Sequence, residues 1–177
     1  MKHNEINTFV SSFLQTHVKK NDIIIDATAG NGHDTYFLSK LASHVYAFDI
    51  QKDALTITKT RLDEKNVSNV TLIHDSHEHF LNHVTIFNGA VFNLGYLPGS
   101  DKIITTTKET TLNTITLMLN NLDKGFIIIS CYIGHDAGIA ESEALLSFVS
   151  SLDNTYSVSQ YQVLNKKNSP FVLVILK

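Results

Sequence analysis

Cysteine is nearly absent from this 177-residue sequence: Cys131 stands alone, so no internal disulfide can form and no cysteine-based zinc site can be assembled. Proline is almost as scarce, with two residues, and no repeat, low-complexity block or Pro/Gly/Ser-rich linker divides the chain. A single domain over residues 1–177 is therefore expected. Long apolar runs are missing too: none approaches the roughly 18 residues of a membrane span, and Met1-Lys-His-Asn-Glu-Ile offers neither an apolar h-region nor a cleavage site. These absences predict a cytoplasmic address and no membrane partner. Surplus positive charge is the last absence. With 14 Lys and Arg against 17 Asp and Glu the net charge is −3, which is not the footprint of a protein that grips long stretches of nucleic acid by their phosphates. A small RNA target or a small molecule stays compatible with it. What is present is a 43% hydrophobic, 18% charged chain, long enough to bury a core without staples.

The apolar segments recur at the spacing of alternating strands and helices. Ile6, Phe9, Val10, Phe13, Leu14 and Val18 mark one face of a helix over about residues 3–19. Ile23-Ile24-Ile25 is wholly apolar and bounded by polar residues, as in a parallel strand covered on both faces. A helix through Tyr36 to Leu41, a strand from Val45 ending at Asp49, a helix over about Lys52–Glu64 and a strand over about Val70–Ile73 follow. Ala90-Val91-Phe92 is the fourth expected strand; Leu112, Ile115 and Leu119 mark a helix, Phe126–Cys131 a fifth strand, and Ala140, Ala144, Leu145 and Phe148 another helix. Tyr156–Val163 and Phe171–Leu176 close the chain as a hairpin. Five β/α units followed by two strands predict an α/β fold.

In open parallel sheets, ligands bind at the carboxyl ends of the strands. After the first strand, Gly30 and Gly32 let the backbone turn tightly and approach a ligand, while the next helix presents its N-terminus. Asp49 ends the second strand, where a carboxylate can accept hydrogen bonds from ribose hydroxyls. Asp75, in His74-Asp75-Ser76-His77, ends the third and is placed to meet an adenine edge, itself or through its neighbours. The competing reading makes each of these a turn or a helix cap. A nicotinamide dinucleotide also competes, because Gly30-x-Gly32 with a carboxylate about twenty residues on matches its fingerprint. Thr35 at the third position of G-x-G-x-x-G is bulkier than that motif favours. Asp26-x-Thr28-x-Gly30-x-Gly32 is similar instead to the acidic-x-Gly-x-Gly-x-Gly pattern of class I methyltransferases, with Thr28 in place of the first glycine.

Asn93-Leu-Gly-Tyr-Leu-Pro-Gly99 leaves the fourth strand. An Asn carbonyl can accept hydrogen bonds from an amine and aim its lone pair, and Tyr96 can pack beside a flat base; a plain turn is the alternative. The fifth strand runs into Cys131-Tyr-Ile-Gly-His-Asp-Ala-Gly138, where His135 can serve as a base for an amine that is protonated near neutral pH, or as a loop hydrogen bond. Cys131, with no activating partner in any motif, reads as a small buried side chain. Lys19, Lys20, Lys102, Lys108, Lys166 and Lys167 are candidates for a local basic patch.

With these residues in hand, the sequence resembles the small bacterial family labelled rRNA methylases, over nearly its whole length. The blocks that carry the resemblance are Asp26-Ala-Thr-Ala-Gly-Asn-Gly-His-Asp-Thr35, Asn93-Leu-Gly-Tyr-Leu-Pro-Gly-Ser-Asp-Lys102, Tyr132-Ile-Gly-His135 with Gly138 and Glu141, and Asn168-Ser-Pro-Phe171; Ser100, Asp136-Ala137 and Ser169 depart from the family pattern. The resemblance implies a Rossmann-like class I methyltransferase fold, with a seven-stranded, mostly parallel sheet, an antiparallel C-terminal strand and helices on both faces. It implies S-adenosylmethionine (SAM) as cofactor and methylation of the aminomethyl nitrogen of 5-aminomethyl-2-thiouridine at the tRNA wobble position, with the tRNA anticodon region as partner and a homodimer as assembly. The cofactor residues are then Asp26, Thr28, Gly30, Asn31, Gly32, Asp34 and Thr35 on the first loop, Asp49 and Gln51 at the ribose, and Asp75, Ser76 and His77 near the adenine. Asn93, Tyr96 and His135 form the catalytic set, Leu94, Gly95, Pro98, Lys102 and Tyr132 contact the substrate, and no metal is required. Methylation of rRNA or of a small amine, an NAD-dependent oxidoreductase and a non-catalytic RNA-binding module are the other readings.

Overall fold

The computed structural model describes residues 5–94, 108–133 and 136–177. Seven strands form one sheet: β1 (Ile23–Asp26), β2 (His44–Asp49), β3 (Val70–His74), β4 (Gly89–Leu94), β5 (Phe126–Cys131), β6 (Ser157–Gln162) and β7 (Phe171–Leu176). Their order is β3-β2-β1-β4-β5-β7-β6, and β7 alone runs antiparallel to its neighbours. The order reverses between β1 and β4, so the crevice of a doubly wound sheet opens above those two strands. Five helices, α1 (Glu5–His17), α2 (His33–Ser39), α3 (Lys52–Glu64), α4 (Lys108–Asn121) and α5 (Asp136–Ser150), and a short 3₁₀ helix (His77–Asn82) connect them.

Alternation along the strands assigns the two faces. Ile24, Val45, Val91, Ile128, Val172 and Val174 pack with α1 and α2, and Ala47 meets Leu55 of α3. Their sequence neighbours Ile25, Phe48, Phe92, Ile127, Ile129 and Leu173 face α4, α5 and the 3₁₀ helix. The covering of both faces explains why β1 and β5 read as unbroken apolar runs. On α1, Ile6, Val10 and Leu14 recur every four residues and are buried, each worth about 1.5–3 kcal/mol of apolar transfer. The helix ends where Lys19 N donates to Asp22 Oδ2 and Asp22 N to the Lys19 carbonyl, closing a turn before β1.

Several expected bounds shift by one or two residues, with α2 ending at Ser39 rather than Leu41, β3 at His74 rather than Ile73, and β6 spanning Ser157–Gln162 rather than Tyr156–Val163; four further differences bear on the site and its supports. α1 is shorter than residues 3–19 within what is described. α2 starts three residues before Tyr36, because Gly32 in a left-handed conformation (φ 73°) begins it. β4 continues past Phe92 through Asn93 and Leu94, held by pairing to Ser130 and Cys131 of β5. The 3₁₀ helix after β3 was not foreseen; Ser76 Oγ caps it by accepting from Glu78 N.

Candidate functional site

The carboxyl ends of β1, β2 and β4 bring Asp26, Asp49 and Asn93 to one rim, and the strand alternation turns all three toward the face that carries α2 and α3. Asp26 is buried, at 1% exposure. Its Oδ1 accepts from Thr28 N at 3.2 Å and its Oδ2 from Thr35 Oγ1 at 2.6 Å. Thr35, the residue too bulky for a dinucleotide loop, is thus the hydroxyl that anchors Asp26. Burial, with Asp34 second, pushes the Asp26 carboxyl up to about 7. Asp49 ties β2 to the loop: Oδ2 accepts from Gly30 N at 2.9 Å and Oδ1 from Gln51 N at 2.8 Å.

Thr28 explains the departure from the glycine pattern. Its hydroxyl accepts from Asn93 N at 2.8 Å, while Asn93 Nδ2 donates to Asp34 Oδ2 at 3.1 Å. The cofactor loop and the end of β4 are therefore joined twice. The bond to Asp34 commits one of the two Asn93 amide N–H groups and fixes the plane of the amide, whose carbonyl oxygen can accept from a ligand. Tyr132, just past β5, is half-buried; burial, then Asp34, raises its phenol, which stays a protonated donor.

Two loop supports had escaped the sequence reading. Thr58 on α3 is fully buried and donates to the Gly30 carbonyl at 2.8 Å. Arg61, the single arginine of the sequence, donates from Nε to the Asn31 carbonyl at 2.8 Å, with Nη2 3.1 Å from His33 Nε2. A lone arginine one helical turn after a buried threonine was the available signal, but nothing in the sequence placed it thirty residues back against the loop. Gly32 has no room for a side chain: a Cβ there would lie 2.7 Å from Thr58.

The third strand end is built differently from the expectation. Asp75 accepts from Ser76 N, from His79 Nδ1 at 2.8 Å and from His83 Nε2 at 3.1 Å, and those hydrogen bonds hold its carboxyl down at about 2. His77 is buried, bonded through Nδ1 to Thr114 Oγ1 and packed edge-on to Phe92. Desolvation pulls its imidazole down to about 4, so it is a neutral core ring. Leu94, expected in a substrate loop, lies in the core because β4 extends that far. Burial pushes the Cys131 thiol up to about 12, which suits an inert core residue. Tyr96, Gly95, Pro98, Lys102 and His135 lie outside the described residues. Among the described residues no group of side chains suited to a metal ion occurs, and no helix is long and apolar enough to cross a membrane.

The partners described for Asp26, Asp34 and Asp49 are neutral, namely backbone amides, Thr35 and the Asn93 amide. Three carboxylates around a glycine turn suit a cationic ligand. SAM carries a sulfonium and an ammonium, whereas a dinucleotide brings an anionic pyrophosphate that the same carboxylates would repel.

Fold, topology and cleft define a class I methyltransferase architecture. Residues 45–177 match the model of the family described as "Putative rRNA methylase", and the chain belongs to that family. A Streptococcus mutans protein described as "a putative methyltransferase", solved in complex with SAH, is 42% identical over 97% of both chains, with a TM-score of 0.90. A Clostridium thermocellum protein described as a "putative rRNA-methylase" is 33% identical, again over 97% of both chains, with a TM-score of 0.92. The Arabidopsis thaliana chloroplastic tRNA (mnm(5)s(2)U34)-methyltransferase is 35% identical across 90% of this chain, which spans 65% of that relative's length. The cofactor of this fold and family is SAM, and the carboxylate-rich rim fits it.

Proposed function

We propose that this protein is a SAM-dependent N-methyltransferase acting on tRNA, transferring a methyl group to the aminomethyl nitrogen of 5-aminomethyl-2-thiouridine at the wobble position. The observation that carries the choice of nitrogen is the Asn93 amide, fixed through one N–H by Asp34 and able to accept from an acceptor N–H at its carbonyl oxygen. The name of the 35% identical plant relative supports the choice of tRNA.

When bound, SAM supplies an electrophilic methyl group on sulfur. The chain's own residues do the rest by alignment. Asp26, Asp34 and Thr35 on the first loop, with Asp49 and Gln51 at the ribose, hold the cofactor, while Thr58 and Arg61 fix the loop that carries the first set. Ser76, just past β3, borders the adenine end, and His77 supports it from the core, buried against Thr114 and Phe92. Asn93 accepts an amine hydrogen, which points the nitrogen lone pair along the crevice, and Tyr132 bounds the acceptor side. Tyr96 and His135, which lie outside the described residues, are the groups this reading assigns to the uracil ring and to the proton of an acceptor that arrives as ammonium.

Labelled SAM and undermodified tRNA, incubated with wild type and with Asn93→Ala, test this reading. The variant is expected to lose on the order of 10²-fold in kcat, a larger loss than its change in S-adenosylhomocysteine affinity, which is measured alongside because Asn93 also bonds Asp34. Equal transfer by both would remove Asn93 from the chemistry. Transfer to rRNA or to a free amine in preference to tRNA would replace the substrate.

A further inference from the structure

A cavity opens at the same end of the sheet, between α5 and the outer strands, on the face opposite the one toward which Asp26, Asp49 and Asn93 turn. It has a volume of about 310 Å³ and is lined by Ile133, Leu146 and Phe171 on one side and by Gln160, Gln162 and Asn168 on the other. Phe171 opens β7 opposite Cys131 of β5 and Gln162 of β6, which puts the cavity at the carboxyl ends of those strands. β7 lies two strand spacings, about 10 Å, from the Asn93 strand. One stretch of backbone borders both places: Tyr132 lies near enough to Asp34 for that carboxylate to raise its phenol, and the next residue, Ile133, lines the cavity.

The lining decides what fits. Gln160 Nε2 donates to Gln162 Oε1 at 3.1 Å, and Gln162 Nε2 donates to the Ser169 carbonyl at 3.1 Å. This relay fixes both amides while leaving the Gln160 carbonyl and further amide N–H groups to meet a ligand. Asn168 is held in a left-handed conformation, φ 52°, which asparagine tolerates better than most residues. The charged residue of the lining is an acid, Glu143, which disfavours a phosphate. Amides set against aliphatic and aromatic walls match a nucleobase, with hydrogen-bonding groups on its edge and apolar faces. The volume sits at the small end of ligand pockets, about 300–1,000 Å³, as a single base requires.

We infer that this cavity receives a nucleobase flanking the methylated nucleotide of the RNA substrate, read by Gln160, Gln162 and Asn168. The inference rests on the proposed action on tRNA and adds a specificity subsite to it. A flanking base seated here would hold the strand while the target nucleotide reaches into the crevice at Asn93.

The test measures binding apart from turnover. Fluorescence anisotropy of a labelled anticodon stem–loop, with the target uridine left undermodified, would be read for wild type and for Gln160→Ala/Gln162→Ala, with calorimetry of S-adenosylhomocysteine confirming an intact cofactor site. The double variant is expected to bind the stem–loop about tenfold more weakly. An abasic substitution at one flanking position should weaken wild type similarly and the variant no further, since coupled partners are non-additive. A Kd within twofold of wild type, or losses that simply multiply, would overturn the inference, as would a change in sedimentation showing that the cavity is a face between two copies. Should the double variant not fold, the abasic series on wild type decides alone: no sensitive flanking position overturns it. Stem–loop binding with these losses but without methyl transfer would reject the proposed reaction and leave the subsite standing; no binding by wild type rejects both.

Discussion

At the scale of single residues, the cofactor rim is a set of carboxylates that do two things at once. Asp49 shapes the loop through Gly30 N and retains lone pairs for a ligand. Asp49→Ala is expected to weaken S-adenosylhomocysteine binding by about 10- to 100-fold, about 1.4 kcal/mol per decade, measured calorimetrically; an unchanged affinity would place the ribose elsewhere. Asp26 carries a pH signature. Its carboxyl ordinarily titrates at 3.8 and is pushed up to about 7 by burial and then by Asp34. Between those values the folded chain keeps a proton that the unfolded chain has released, so the cofactor-free protein loses stability as pH rises through that interval. Asp26→Asn should flatten that slope in thermal melts. A cationic ligand favours the ionised carboxylate, so SAM binding near pH 7 should release a proton and tighten with rising pH in wild type, and not in the variant. Asp26 and Asp49 were legible because each ends an apolar run. Thr28 was named with the loop but its bond to Asn93 was not, and Arg61 was not named at all, since both roles depend on partners far along the chain.

At the scale of elements, α3 acts as a buttress. It packs Leu55 against the sheet and places Thr58 and Arg61 on the glycine loop. Gly32→Ala combines a left-handed φ of 73° with a Cβ 2.7 Å from Thr58, and should cost about 1–3 kcal/mol. Adding Thr58→Ala should not restore stability, because the backbone cost persists and the bond to the Gly30 carbonyl is lost. Denaturant titration of both variants checks this, and full recovery in the double variant would show that the clash alone matters. On α1, Leu14 is 1% exposed, and Leu14→Ala should cost about 2–5 kcal/mol by the same measurement. Elements with a strong period, α3, β5 and β7, were read from sequence with the bounds the structure has. The 3₁₀ helix was missed because His77-Glu-His-Phe-Leu-Asn82 is too short for a period; only Ser76, a capping residue, announced it.

At the scale of the molecule, the strand order explains why residues distant in sequence share one rim, and why the basic residues do not. Lys19 and Lys20 lie in the loop entering β1, at the amino ends of the parallel strands, away from the crevice. Lys166, in the β6–β7 loop, pairs with Glu5 of α1. Among the described lysines, Lys19 and Lys20 therefore do not share a surface with Lys166, and the net charge of −3 is compatible with the proposed action on a short stretch of RNA. Raising the salt concentration should accordingly weaken stem–loop binding with a shallow slope, worth a few phosphates; a slope of many phosphates would point to a broad basic face.

The central claim is transfer of a methyl group from SAM to the wobble aminomethyl nitrogen. Mass spectrometry of nucleosides from undermodified tRNA, incubated with the purified protein and SAM, tests it most directly. The expected result is conversion of 5-aminomethyl-2-thiouridine to 5-methylaminomethyl-2-thiouridine, with no other nucleoside gaining mass; an unchanged aminomethyl nucleoside, or a methyl group on another base or on ribose, would contradict it.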